Sequence, residues 1–217
     1  SRAPAPPPPP PPAPPPPPPP APGRVGPRVS PFTASGPITA SMGQVISGVR
    51  ITNPNGPCIT VPAGATGVVI RDSDIGPCGG NANIFIEGAN ATVEYTFVHH
   101  GNRGVMAHRT SGTTTRFSRF DTFYGPKFNG TAIEYDYMAS GRIEGNVVRG
   151  SNYASDAVSV FESSNMTLIN NDIDINVAEP SVVAFTMGDA TNGNPGANNY
   201  VAGNTDGARL QQPDVSA

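Results

Sequence analysis

All three histidines of the chain, His99, His100 and His108, fall within residues 99–127. The same window carries Arg103, Arg109, Arg116, Arg119 and Lys127, five of the 13 basic residues, against a single acid, Asp121. Imidazole is the side chain whose ordinary pKa lies nearest neutrality, so it moves protons at physiological pH. Arginine forks grip carboxylates in a fixed bidentate geometry. A band that combines the two suits an anionic polymer with a proton to be removed or returned beside its acid group. The same residues equally suit plain charge pairing with Glu94, Glu134 and Asp136, with no ligand involved.

The elements that hold these residues are strands. Beyond residue 30 the chain is rich in Gly, Asn, Thr, Ser, Val and Ile, with no Trp and one lysine. Long amphipathic helices draw on Leu, Ala, Glu and Lys, a mixture missing here. β-branched residues interspersed with Gly and Asn indicate short strands and tight turns, an all-β chain. One set of apolar strands starts at Ile59, Ile84, Val105, Ile133, Val158 and Val183, separated by 25, 21, 28, 25 and 25 residues. A second set follows the first five: Val68-Val69-Ile70, Val93-Glu94-Tyr95, Thr115-Arg116-Phe117, Gly141-Arg142-Ile143 and Thr167-Leu168-Ile169. Two phase-locked sets recurring every ~25 residues fit a solenoid better than a sandwich, which needs no fixed relation between strand pairs.

Alternation along a strand turns this repeat into a map of facing side chains. In the first set the apolar positions point inward, and the outward columns read Pro62, Glu87, His108, Asp136, Phe161, Thr186 and Thr60, Phe85, Met106, Glu134, Ser159, Ala184. Glu87, His108 and Asp136 are thereby expected in one stack at ~4.8 Å intervals, with Glu134 alongside. An imidazole between carboxylates holds its proton more strongly and can act as acid or base. A solvated charge ladder that serves solubility gives the same pattern. His99 and His100 form a poor metal pair on this map, because adjacent strand residues face opposite ways. Asp72 with Asp74, and Asp172 with Asp174, have same-face spacing that permits Ca2+ but also fits turn stabilisation. No cofactor is required and no metal residue is assigned.

The second set ends in recurring turns: Glu144-Gly145-Asn146-Val147, Asn170-Asn171-Asp172-Ile173 and Ala202-Gly203-Asn204-Thr205. Asn at a matched turn position in each coil can build a side-chain ladder and tolerates left-handed backbone angles. With these turns and the coil period, the chain from Val45 to Asn204 resembles the right-handed parallel β-helix proteins of the pectate-lyase-like fold. That resemblance implies a solenoid of about six to seven coils and a secreted, bacterial-type protein acting on polysaccharides, most often acidic ones. Glycoside hydrolases, lyases, epimerases and adhesive shafts all use such solenoids.

Three segments follow: a proline-rich tail at 1–30, the β-helix domain at 31–205 and a C-terminal tail at 206–217. Sixteen of the 27 prolines lie between Pro4 and Pro22. Lacking amide donors, that tract is expected to be a solvated, disordered polyproline II spacer. The sequence begins at Ser1 rather than Met and shows no basic-then-apolar signal segment, so a processed or trimmed start is expected. Little apolar sequence follows Asn204, so an uncapped last coil is expected, either continued by further chain beyond a truncated end or covered through oligomerisation. Cys58 and Cys78, 20 residues or about one coil apart, are expected on neighbouring coils and disulfide-linked, which favours a secreted or cell-surface location. A net charge of −3 argues against nucleic acid, and no apolar run is long enough to span a membrane.

The leading expectation is a polyuronate lyase or epimerase. His108 serves as base or acid, and Asp136 and Glu87 set its proton affinity. Arg109 and Arg103 clamp the carboxylate, Tyr137 donates a proton, and His100, Glu134 and Lys127 bind substrate. A glycoside hydrolase using two of the carboxylates is a variant. From another class, a non-catalytic glycan-binding or adhesin-like surface module fits the same residues.

Overall fold

The computed structural model describes residues 24–124, 130–153, 156–177, 183–188 and 198–210. The proline tract to Gly23 and Lys127 lie outside the described residues. The protein is all-β, a parallel β-solenoid whose strands occur in strict three-beat order. One coil runs Phe97–Gly101, Arg103–His108, Thr113–Arg116; the next runs Arg119–Phe123, Thr131–Asp136, Gly141–Glu144. Stacking such coils gives sheet A with eight strands and sheets B and C with seven each, every pairing parallel.

The core is built by like-on-like stacking. Sheet A contributes Ile51, Ile75, Val98, Phe120, Val148 and Ile173 in consecutive register. Sheet B contributes Ile59, Ile84, Val105, Ile133 and Val158. All eleven are buried. Each such side chain stabilises the fold by roughly 1.5–3 kcal/mol relative to exposure, and β-branched shapes fill the pleat.

Sheet C corrects the expected phase of the second strand set. Its inward column is Ile46, Ile70, Val93, Thr115, Ile143 and Leu168. Tyr95 and Phe117 instead stand at the following corner with positive φ, their rings 5.4 Å apart. The polar Thr115 broke the apolar pattern. It is tolerated inside because its hydroxyl pairs with the buried Tyr135 hydroxyl at 2.9 Å, and burial raises the Tyr135 phenol far above its ordinary pKa. The last strand of sheet B also starts later than expected, at Phe185, which pairs with Val158. Thr186 therefore belongs to the Glu134 column, and Gly188 pairs with Phe161 in the His108 column.

At the corner between sheets C and A, Gly48, Asp72, Tyr95, Phe117, Gly145, Asn170 and Gly203 all take φ between 48° and 69°. The residue after each feeds the ladder expected from the turn motifs. The Ser118 amide donates to Asn146 Oδ1, the Asn146 amide to Asn171 Oδ1 and the Asn171 amide to Asn204 Oδ1, at 3.0, 3.1 and 2.9 Å. The Asn146 and Asn171 side-chain amides close onto the Thr115 and Ile143 carbonyls. Buried polar groups are thereby satisfied coil by coil, and the corner angle is fixed.

Cys58 and Cys78 are bonded, with Cα atoms 5.7 Å apart, at the A–B corners of adjacent coils. At the amino end, residues 24–30, assigned by composition to the tail, lie against the solenoid. The Gly26 amide donates to the Phe117 carbonyl, and Arg28 bonds both Asp72 oxygens at 2.8 and 2.7 Å. At the other end, Thr205–Leu210 is a sheet A strand paired with Asp172–Val177, so regular structure extends past the expected boundary at 205.

Candidate functional site

Sheet B presents the residues singled out in the sequence. His108 and Asp136 are register partners, with His108 Nδ1 3.2 Å from Asp136 Oδ2. Glu134 lies on the same face, one position before the inward Tyr135, and accepts from Arg103 Nε at 2.6 Å. Burial pushes the Glu134 carboxyl above its ordinary pKa, and the Arg103 guanidinium opposes that rise. Glu87 lies one residue beyond the end of the strand Ile84–Ile86, outside the paired register.

Glu87 joins a different group. With Arg109, Tyr137 and their neighbours Ala63 and Thr110 it lines an open depression of about 480 Å³ at the B–C corner. Arg109, Tyr137 and Glu162 occupy matching left-handed positions on successive coils, with φ of 50°, 54° and 43°. Their amides bond the next coil's carbonyls, Arg109 to Asp136, Tyr137 to Phe161 and Glu162 to Gly188. This stacking sets the Arg109 guanidinium over the Tyr137 ring at 5.2 Å, and the His108 ring meets Tyr137 edge-on at 5.8 Å. The negative charge of Glu162 holds the Tyr137 phenol's pKa up. Tyr137 stays 43% exposed. Arg109 makes no ion pair among the described residues, whereas Arg103, Arg116 and Arg119 are held by Glu134, Glu94 and Asp121. Most of the expected basic band is therefore neutralised within the protein.

Sequence reasoning missed a second imidazole cluster, on sheet A. His99 Nε2 lies 2.9 Å from Asp74 Oδ1, and Arg50 Nε donates to Asp74 Oδ2 at 2.7 Å. An ionised carboxylate only accepts, so His99 carries its proton on Nε2 and turns the Nδ1 lone pair away from Asp74. That nitrogen meets His100 Nδ1 at 2.8 Å. Burial lowers the His99 pKa below 6.5, while the Asp74 carboxylate acts in the opposite sense. Phe97 stacks on the His99 ring at 4.6 Å, and Tyr124 stands edge-on to His100 at 6.4 Å.

The expectation that His99 and His100 face opposite ways fails for a local reason. His100 has φ of 50°, and the register steps from His99–Asp121 to Gly101–Phe123 without it. The left-handed residue cancels the alternation and swings both rings to one side. No residue type in the sequence marks this corner; the structure repeats it on the next coil, where Thr122 takes φ of 54°. Close approach of the preceding coil fixes His99 as well. A Cβ on Gly76 would stand 1.8 Å from the His99 carbonyl oxygen, which accepts from Asn83 Nδ2 at 2.9 Å. Asp72 and Asp74 do not share a site: Asp72 is held by Arg28, while Asp74 is held by Arg50 and His99. Asp172 pairs with Arg149.

No family model matches the chain, and no curated protein does. Among solved structures, one similar chain is described as a "putative glycosyl hydrolase" from Parabacteroides merdae. The match has a TM-score of 0.36 and 11% identity, and covers 83% of this chain and 77% of that one. At that level the likeness carries no argument about chemistry. Among the described residues, no helix is long and apolar enough to cross a membrane.

Proposed function

We propose that the protein is an extracytoplasmic glycan-binding solenoid whose B–C corner takes an acidic polysaccharide. The observation that carries this reading is the exposed Tyr137 ring beside an Arg109 guanidinium that no carboxylate among the described residues holds, in an open depression also lined by Glu87. An exposed aromatic ring with one wet edge offers a sugar ring an apolar face and a polar handle. A guanidinium at that edge bonds a sugar carboxylate, and Glu87 accepts from hydroxyls. The coil repeat runs along the solenoid axis, so a linear polymer laid parallel to it meets successive corners in register. The Cys58–Cys78 disulfide supports an oxidising compartment.

Binding without turnover is preferred to the lyase, epimerase and hydrolase readings. The depression is shallow, and His108 and Asp136 are paired with each other outside its lining. Nothing there excludes water from a reacting centre, a condition that most strengthens charge stabilisation. The deciding experiment incubates the protein with pectate, alginate and a neutral glucan, following both retention and unsaturated or reducing-end product. Retention on the acidic polymers without product supports the reading, and Tyr137→Ala and Arg109→Ala should each abolish it. Product formation that is lost in His108→Ala would restore the enzyme reading.

A further inference from the structure

The A–B corner carries a site that the glycan reading neither uses nor explains. We propose that His99 and His100 chelate a single borderline transition cation such as Zn2+, Cu2+ or Ni2+ through their two Nδ1 atoms. Three features of the corner point there.

First, the two nitrogens converge. Nδ1 of His99 and Nδ1 of His100 lie 2.8 Å apart. Two imidazole nitrogens on one tetrahedral Zn2+ at 2.0–2.1 Å sit about 3.3 Å apart. The rings need to part by only about 0.5 Å to admit the ion, and His100 is exposed at the corner and free to give that distance. Neutral imidazole suits Zn2+, Cu2+ and Ni2+, whereas Ca2+ and Mg2+ require oxygen.

Second, the far side of His99 is already arranged as the support of a metal ligand. Its Nε2–H points at Asp74 Oδ1, and Arg50 pins the other Asp74 oxygen. A carboxylate on the distal N–H of a ligating histidine fixes the tautomer and orients the ring. Here the Asp74 bond leaves the Nδ1 lone pair facing His100. Binding also balances in protons. The hydrogen shared between the two Nδ1 atoms moves to Nε2 of His100, and the metal takes its place.

Third, the described carboxylate that neighbours His99 in register is already held. Asp121, the register neighbour of His99, is occupied by Arg119 at one oxygen and by the Thr122 hydroxyl at the other. Phe97 and Tyr124 contribute rings. No group of three or more His, Cys, Asp or Glu side chains among the described residues is placed to hold a metal. Among the described residues the site therefore offers two protein ligands. The cysteines are joined in a disulfide and do not compete.

The inference does not depend on glycan binding and is tested by metal alone. Tag-free protein is titrated with Zn2+ and with Cu2+ by calorimetry, and the Cu2+ form is examined by electron paramagnetic resonance. One ion per chain is expected, with hyperfine splitting from two imidazole nitrogens. His100→Asn, which keeps a residue tolerant of left-handed angles, should abolish saturable binding, and His99→Ala should do the same. Asp74→Asn should weaken binding about 10- to 100-fold. His108→Ala should leave it unchanged. Circular dichroism confirms that each variant is folded; if His99→Ala is not, His100→Asn decides alone. Saturable binding that survives His100→Asn, binding that is lost in His108→Ala, or no saturable binding by the native chain would overturn the proposal.

Discussion

His99–Asp74 on sheet A and His108–Asp136 on sheet B are the same pair of side chains in two settings. The first is the tighter, at 2.9 Å against 3.2 Å, and its imidazole is the more buried, at 16% against 25% exposure. His108 ends a regular strand and meets a register partner, so its pair is one rung of an outward ladder. His99 sits one residue before a left-handed corner, beneath a glycine that lets the neighbouring coil close on its carbonyl. A flat strand spaces like groups at the coil repeat. A corner brings neighbours in sequence onto one side and builds a more concentrated site.

The contrast breaks most readily through glycine. Gly76→Ala forces a Cβ against the His99 carbonyl and leaves a non-glycine residue at φ of 138°. It should cost about 2–4 kcal/mol, seen as a melting temperature lower by about 5–12 °C. Gly188 occupies the His108 column on sheet B with nothing within 4 Å of its Cβ position. Gly188→Ala should stay within about 0.5 kcal/mol. Equal losses at the two would remove the distinction between corner and wall.

Removing each carboxylate is the next test. Asp74→Ala strands Arg50 and His99 together and should destabilise by about 1–3 kcal/mol in urea melts. Asp136→Ala releases one partly exposed partner and should cost under about 1 kcal/mol.

Acid titration gives a smaller, directional effect. Burial holds the folded His99 pKa below 6.5, its ordinary value. Its contribution to stability is thus present above 6.5 and is lost as pH falls through the lower folded value. Histidine NMR should place its midpoint below 6.5. In His99→Gln the fall in melting temperature across that range should flatten; an unchanged slope would assign it to other groups.

A further small effect belongs to the amino-terminal segment. The hydrogen bond from Arg28 holds the Asp72 carboxyl below its usual range, so this tie is present above 3.8 and is lost on further acidification. Asp72→Asn keeps a residue suited to φ of 49° and removes only the charge. It should cost about 0.5–1 kcal/mol and raise hydrogen exchange in residues 24–30, leaving sheet B unchanged.

Much of the solenoid was legible because its signals are local. Ile84, Ile133 and Val158 recur with the coil, Asn146 and Asn171 mark matched turns, and Cys58 and Cys78 stand about one coil apart. The strand pattern of sheet A was not read, since charged, Gly and Pro residues interrupt the inward Ile75, Val98 and Phe120. The facing of sheet C is not legible from residue type alone, because Thr115 takes a core position between Val93 and Ile143. In the candidate site, the pairing of His108 with Asp136 followed from alternation alone. The placing of Glu87 beside Arg109 and Tyr137 did not, because it depends on how the corner turns after Ile86.

Periodicity and composition were enough to specify stacked parallel strands, an inward apolar column and an amide ladder, since each follows from residue type at a fixed interval. Which charges meet was settled only in three dimensions. Arg103 closing on Glu134, Arg50 on Asp74 and His99 on His100 depend on side-chain reach across coils and on single left-handed residues. One positive φ reverses the facing of a strand residue, and a chain of L-amino acids does not mark in advance where such an angle will fall.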